Sequence, residues 1–161
     1  RVYSFEFVKS NLDIMSKNLN LNSEISDRIV KINKPLWSKS GLTMYVADKG
    51  PASRVSLTPF EDDNKNYIVQ TTTIDDIVEK EQLNRVDLIK MDIEGAELEA
   101  LKGARESLCR FKPNLALSIY HTPKHFYQLA QFIDSLKLDY RYTIDHFTIH
   151  KEETVLFAKA I

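Results

Sequence analysis

The sequence predicts an α/β fold, doubly wound around a mostly parallel sheet with helices on both faces, and with an antiparallel strand pair at the C-terminal end. Three observations lead there. Short β-branched and aromatic runs alternate with segments whose apolar residues recur every three or four positions, a pattern that means parallel strands joined by crossover helices. The last two strand-like runs are separated only by the charged turn His150-Lys151-Glu152, so they pair antiparallel. A length of 161 residues, 43% of them apolar and 28% charged, suits one globular domain that can bury a core. No internal repeat or linker divides it.

The elements follow in order. Residues 2–6 (Val-Tyr-Ser-Phe-Glu) read as a buried strand. Leu12, Met15 and Leu19 then recur at helical spacing, with Lys9, Asp13 and Lys17 on other faces, and Asn20 and Asn22 close that helix. Residues 28–33 form a second strand, which Pro35 ends. Residues 41–47 alternate like an exposed strand, and 48–66, with Gly50, Pro51, Pro59 and the acidic Glu61-Asp62-Asp63, read as a hairpin and loop. Residues 67–72 are strand-like, and Thr73 with Asp75 and Asp76 opens a short helix running to about Glu81. A strand over 86–92 precedes a helix over 95–108 that places Leu98, Leu101, Ala104 and Leu108 on one face. A strand over 114–120 leads to a helix with Pro123 at its first position, burying Phe126, Leu129, Ala130, Ile133 and Leu136. Strands over 140–147 and 153–159 finish the chain.

Bulk properties exclude several classes of function. A net charge of −1 provides no basic field for a phosphate backbone, which argues against nucleic acid. No run approaches the roughly 18 apolar residues of a membrane span. Cys109 stands alone, which rules out an intrachain disulfide and fits a reducing, cytoplasmic compartment; its place on a helix face predicts a buried, inert thiol. The chain opens inside a strand-like run with neither an initiator methionine nor a signal peptide, which places the natural N-terminus elsewhere.

The segment Leu88-Ile89-Lys90-Met91-Asp92-Ile93-Glu94-Gly95-Ala96-Glu97-Leu98, followed by Leu101-Lys102-Gly103-Ala104, resembles the hallmark block of FkbM-type methyltransferases. Val2-Tyr3-Ser4-Phe5-Glu6, Thr73-Ile74-Asp75-Asp76, Lys112-Pro113 before a strand, and Glu153-Thr154-Val155-Leu156-Phe157-Ala158 match in the family's order. The resemblance implies a Rossmann-like class I methyltransferase sheet, S-adenosylmethionine as cofactor, and usually O-methylation of sugars or secondary metabolites. Two departures stand out. The family's first strand and its glycine-rich cofactor turn have no counterpart, because Gly41, Gly50, Gly95 and Gly103 form no G-x-G. The chain therefore reads as a single methyltransferase domain lacking that strand and loop, with the strands ending at Glu6 and Asp92 left as open interior edges. Phe7 stands where the family usually has proline after the strand-ending glutamate.

Within that resemblance the candidate sites fall at strand ends. Glu6, beside Phe7, would accept the ribose hydroxyls of the cofactor, against the bland alternative of an ordinary exposed glutamate. Leu36 and Trp37 would wall the adenine, although core packing is the commoner use of a lone tryptophan. Asp92 and Glu94, two apart at the end of the central strand, would sit at the methyl-transfer centre; the alternative is that both cap the following helix. Asp92 would also border the cofactor. His121, at the end of the next strand, would arrive beside Asp92 as a general base or else cap the next helix. Glu97 reads as a solvated first-turn residue. His121/His125 and His146/His150 have the spacing of zinc pairs but lack the accompanying glutamate and helix, and a divalent ion at Asp92 and Glu94 lacks an obvious third ligand.

The leading expectation is S-adenosylmethionine-dependent methyl transfer to an oxygen of a small molecule or glycan, with substrate choice in residues 38–66 and 140–148. A homo-oligomer is left open. The rival from another class is a non-catalytic relic or assembly module that kept the fold and lost the cofactor. A nucleotide-binding oxidoreductase is a third reading, since Glu6 would also suit the ribose of NAD.

Overall fold

The computed structural model describes residues 1–47, 53–60, 66–150 and 152–161, and it is α/β throughout. Its sheets are small and mixed rather than one doubly wound parallel sheet. The chain forms two compact units, Arg1–Thr72 and Thr73–Ile161. Gly50, Pro51, the acidic Glu61-Asp62-Asp63 stretch and Lys151 of the last turn lie outside the described residues.

In the first unit β1 (Val2–Phe5) pairs parallel with β2 (Ile29–Ile32), in register from Val2↔Ile29 to Phe5↔Ile32. Between them run α1 (Lys9–Leu21) and the short α2 (Ser23–Ser26), the crossover that a parallel pair requires. Leu12, Met15 and Leu19 are half-buried on α1 and Lys9, Asp13 and Lys17 are exposed, as the spacing predicts. A second sheet has the order β4 (Arg54–Ser56), β3 (Thr43–Ala47), β5 (Asn66–Gln70), all antiparallel. β3 was expected to be exposed and is not. Strands pair on both of its sides, and Met44 and Val46 have no solvent exposure. Alternation alone reports that one face is buried and says nothing of whether a strand is central.

In the second unit α3 (Ile74–Lys80) starts at Thr73, whose hydroxyl accepts from the Asp76 N–H at 3.0 Å, as its sequence signal predicts. A four-stranded sheet follows in the order β6 (Leu88–Met91), β7 (Asn114–Ser118), β9 (Thr154–Ala160), β8 (Tyr140–His146). β6 and β7 are parallel, whereas β9 runs antiparallel to both β7 and β8, which bears out the expected C-terminal pair. Among the described residues β1 pairs only with β2 and β6 only with β7. β6 is also less buried than expected: Ile89 and Met91 are buried, but Leu88 and Lys90 are exposed. Leu101, Leu108, Leu115, Leu117, Leu129 and Ile133 fill the core of this unit.

Three helical expectations need correction. The continuous helix over 95–108 is two helices, α4 (Glu97–Lys102) and α5 (Arg105–Phe111), because tertiary partners claim the groups at the break. The Gly103 carbonyl accepts from the Asp75 N–H at 3.0 Å, and the Asp75 carboxylate takes the N–H groups of Glu106 (3.0 Å) and Ser107 (2.8 Å) that open α5. Pro123 is not the first helical residue; Thr122 to Lys124 make a turn and α6 spans His125–Ser135. Its buried stripe is accordingly His125, Leu129 and Ile133, and Phe126 is 51% exposed. Cys109 is exposed on α5, not buried.

Candidate active site

In the first unit, Glu6 follows β1 and turns its carboxylate back onto its own chain. Oε1 accepts from the N–H groups of Phe7 (2.7 Å) and Val8 (2.8 Å), and Oε2 accepts from Asn11 Nδ2 at 3.0 Å. The negative charge thus sits at the start of α1, where orphan amides and the helix dipole favour it. A carboxylate has about four acceptor positions, so three bonds leave one free on Oε2. Phe7 lends both backbone groups to this arrangement, its N–H to Glu6 and its carbonyl to the Tyr67 hydroxyl at 3.1 Å. A proline at that position would lack the donor. Beyond β2, Leu36 is buried and bridges Thr72, and the half-buried Trp37 donates its N–H to the Thr72 carbonyl at 3.0 Å.

The second unit gathers Asp92, Glu94 and His121 as expected, and adds four residues, Lys90, Glu97, Tyr120 and His125, whose spacing alone did not place them there. β6 ends at Asp92 and β7 leads to Tyr120 and His121; parallel pairing brings the two strand ends side by side. The turn into α4 carries Glu94 at φ +55° and Gly95 at φ +96°. A Cβ on Gly95 would lie 3.4 Å from Thr122 Oγ1 and 3.9 Å from His121 Cβ, so glycine suits both the backbone conformation and the close approach.

His121 is the hub. Its Nδ1 lies 3.0 Å from Glu97 Oε1, while Nε2 lies 3.5 Å from Asp92 Oδ1 and 3.6 Å from Glu94 Oε2. Nε2 is buried and makes no hydrogen bond among the described residues. Tyr120 donates its hydroxyl to Asp92 Oδ1 at 3.0 Å and stacks obliquely on His121, the ring centroids 4.1 Å apart. Lys90 Nζ is 3.6 Å from Asp92 Oδ2.

Glu97 was expected in solvent, yet its side chain has no exposure at all. Its Oε1 also accepts the Ile93 N–H at 3.0 Å, and its Oε2 lies 3.2 Å from His125 Nδ1 without the alignment of a hydrogen bond. A legible signal existed. Glu97 shares the i, i+3, i+4 face of buried Ala100 and Leu101, and His125 shares the i, i+4, i+8 stripe of Leu129 and Ile133.

The electrostatics follow from the packing. Burial pushes the Glu97 carboxyl up, but the hydrogen bond from His121, those from the Ile93 and Glu97 amides and the charge of His121 together outweigh it and hold the group below the ordinary glutamate range. Burial disfavours charge on His121 as well; the Glu97 hydrogen bond and the charges of Glu97, Glu94 and Asp92 overcome it and raise the imidazole above its ordinary value. His125 goes the other way, because burial dominates and His121 adds to it. Burial, then the bond to Asp92, pushes the Tyr120 phenol up. The result is a carboxylate–imidazole pair whose outer nitrogen faces two further carboxylates, an arrangement able to accept and pass on a proton.

Among the described residues, no group of three or more His, Cys, Asp or Glu side chains is arranged to hold a metal ion. No helix there is long and apolar enough to cross a membrane. The chain matches the family described as the methyltransferase FkbM domain over residues 1–142. It is similar to the crystal structure of methyltransferase FkbM from Methylobacillus flagellatus KT, with 28% identity and a TM-score of 0.77. That likeness covers 98% of this chain and 36% of the other, so the chain spans about a third of that protein's length. No curated protein matches it. With residues 1–142 matched, a stretch that includes Asp92, Glu97 and His121, this chain belongs to the FkbM methyltransferase family.

Proposed function

We propose that the chain carries the acceptor-activating part of an S-adenosylmethionine-dependent O-methyltransferase acting on a sugar, glycan or secondary metabolite. The observation that supports this reading most is His121, held at Nδ1 by a buried carboxylate with Nε2 unbonded and directed toward Asp92 and Glu94. S-adenosylmethionine, when bound, supplies an electrophilic methyl group and leaves as a neutral thioether. The acceptor oxygen forms the new bond to carbon, and its proton must go to a nearby base. Asp92 and His121 would orient the hydroxyl and take that proton, with Glu94 in support.

Glu6 fits the cofactor's ribose, with one adjustment. Its single remaining acceptor position suits one ribose hydroxyl rather than two. Leu36 and Trp37 would flank the adenine. On this reading the protein is cytoplasmic and its partner is a small-molecule or glycan acceptor, neither nucleic acid nor membrane. Acceptor choice would fall to residues 38–66 and to the 140–148 edge, where Ile144 and Phe147 are exposed.

The test uses the full natural polypeptide. Titration with S-adenosylhomocysteine should give saturable heat, and labelled methyl should pass from S-adenosylmethionine to hydroxylated acceptors. A folded protein that neither binds the thioether nor transfers methyl would instead be the non-catalytic relic.

A further inference from the structure

Glu97 needs no contact with an acceptor to matter, because the group that would touch one is hung on it. The first turn of α4 places its carboxylate wholly inside the protein, where an ionised group is costly unless donors surround it. If it only closed the turn after β6, the Ile93 N–H would be a sufficient partner. Instead Oε1 also meets His121 Nδ1 at 3.0 Å, and Oε2 faces His125 Nδ1 from α6 at 3.2 Å. An imidazole that gives Nδ1–H to a fixed carboxylate has its tautomer and its ring plane set by that bond.

We propose that Glu97 is the positioning residue of this site: it holds His121 by Nδ1–H, so that Nε2, facing Asp92 and Glu94, is the atom that exchanges a proton with the acceptor. This rests on the reading of His121 as the proton acceptor. Removing Glu97's charge would leave Asp92 and Glu94 from the β6–α4 turn, Tyr120 beside the ring and His125 from α6, so any change in His121 reports Glu97 itself.

The experiment is nitrogen-15 spectroscopy of the histidine rings in the full natural polypeptide, wild type and Glu97→Gln, with His121→Gln used to assign the resonance. The neutral His121 ring should carry its proton on Nδ1 and ionise above its ordinary 6.5. In Glu97→Gln the midpoint should fall by at least about one unit. The acid limb of the methyl-transfer rate should move with it, while the dissociation constant for S-adenosylhomocysteine stays within about threefold. An Nε2–H tautomer in the wild type, or an unmoved midpoint in a folded Glu97→Gln protein, overturns the proposal. The wild-type tautomer needs no Glu97 variant, only the His121→Gln assignment, so a Glu97→Gln protein that fails to fold does not shield it. If the wild type transfers no methyl group yet its spectra show the coupling, the methyltransferase reading falls and the Glu97–His121 pair stands.

Discussion

Asp92 has a phenol at 3.0 Å, an ammonium at 3.6 Å and an imidazole at 3.5 Å, so its carboxylate is oriented from several sides. Asp92→Asn keeps the shape but removes a proton acceptor. Turnover should fall at least about a hundredfold, with cofactor affinity changed less than about tenfold. Parallel kinetics and titration check this, and unchanged turnover would take Asp92 out of the chemistry. Glu6→Gln probes the other unit. It should weaken binding of the adenosyl cofactor by about 1.5–3 kcal/mol, the scale of hydrogen bonds to a charged group. Because Glu6 also holds the entry to α1, the same variant should lower the melting temperature, and calorimetry separates the two effects. Unaltered cofactor affinity would refute the ribose assignment.

Among the elements, the α4–α5 break shows how a helix end can be held from outside. Lys102 followed by Gly103 is a stop signal in the sequence and Gly103 caps α4; the start of α3 holds the break open, taking the Gly103 carbonyl and supplying a carboxylate cap to the next helix. The Ser107 hydroxyl adds a third bond to Asp75 at 2.6 Å. Asp75→Ala would leave two amides of α5 without that acceptor, at a cost of about 2 kcal/mol. For a domain of this size the melting temperature should drop by about 4–8 °C. A thermal melt within about 1 °C of wild type would show that water replaces the cap.

For the whole molecule, the buried acid–imidazole cluster makes stability depend on pH. Glu97 is held below its ordinary 4.5, so its contribution is present above that pH and is lost as pH falls through the depressed value. His125, also lowered, weakens the fold as pH falls below 6.5, where the unfolded chain takes up the proton first. His121, raised, acts in the opposite sense: its contribution is complete below 6.5 and fades as pH rises through its folded value. Urea midpoints should therefore separate wild type from Glu97→Gln at pH 7, and the gap should close as pH drops below 4.5. A gap that is constant from pH 7 to pH 3 would mean that Glu97 contributes through packing alone. The sheets add another molecular feature: among the described residues β1 and β6 each pair on one side only, and such edges favour strand addition.

The sequence by itself determined the order of elements, the cap at Thr73, the antiparallel finish and the meeting of Asp92 with His121. Each follows from local spacing, from a short-range hydrogen bond, or from the rule that parallel neighbours bring their ends together. The tertiary structure alone decided that β3 is central, that Asp75 caps the second half of the broken 95–108 helix, that Cys109 faces out, and which partners meet Glu97 and His125 on the buried faces their spacing gives them. Burial of a polar side chain depends on partners distant in sequence: the spacing of Glu97 points it inward, but only His121, arriving from 24 residues away, satisfies it there.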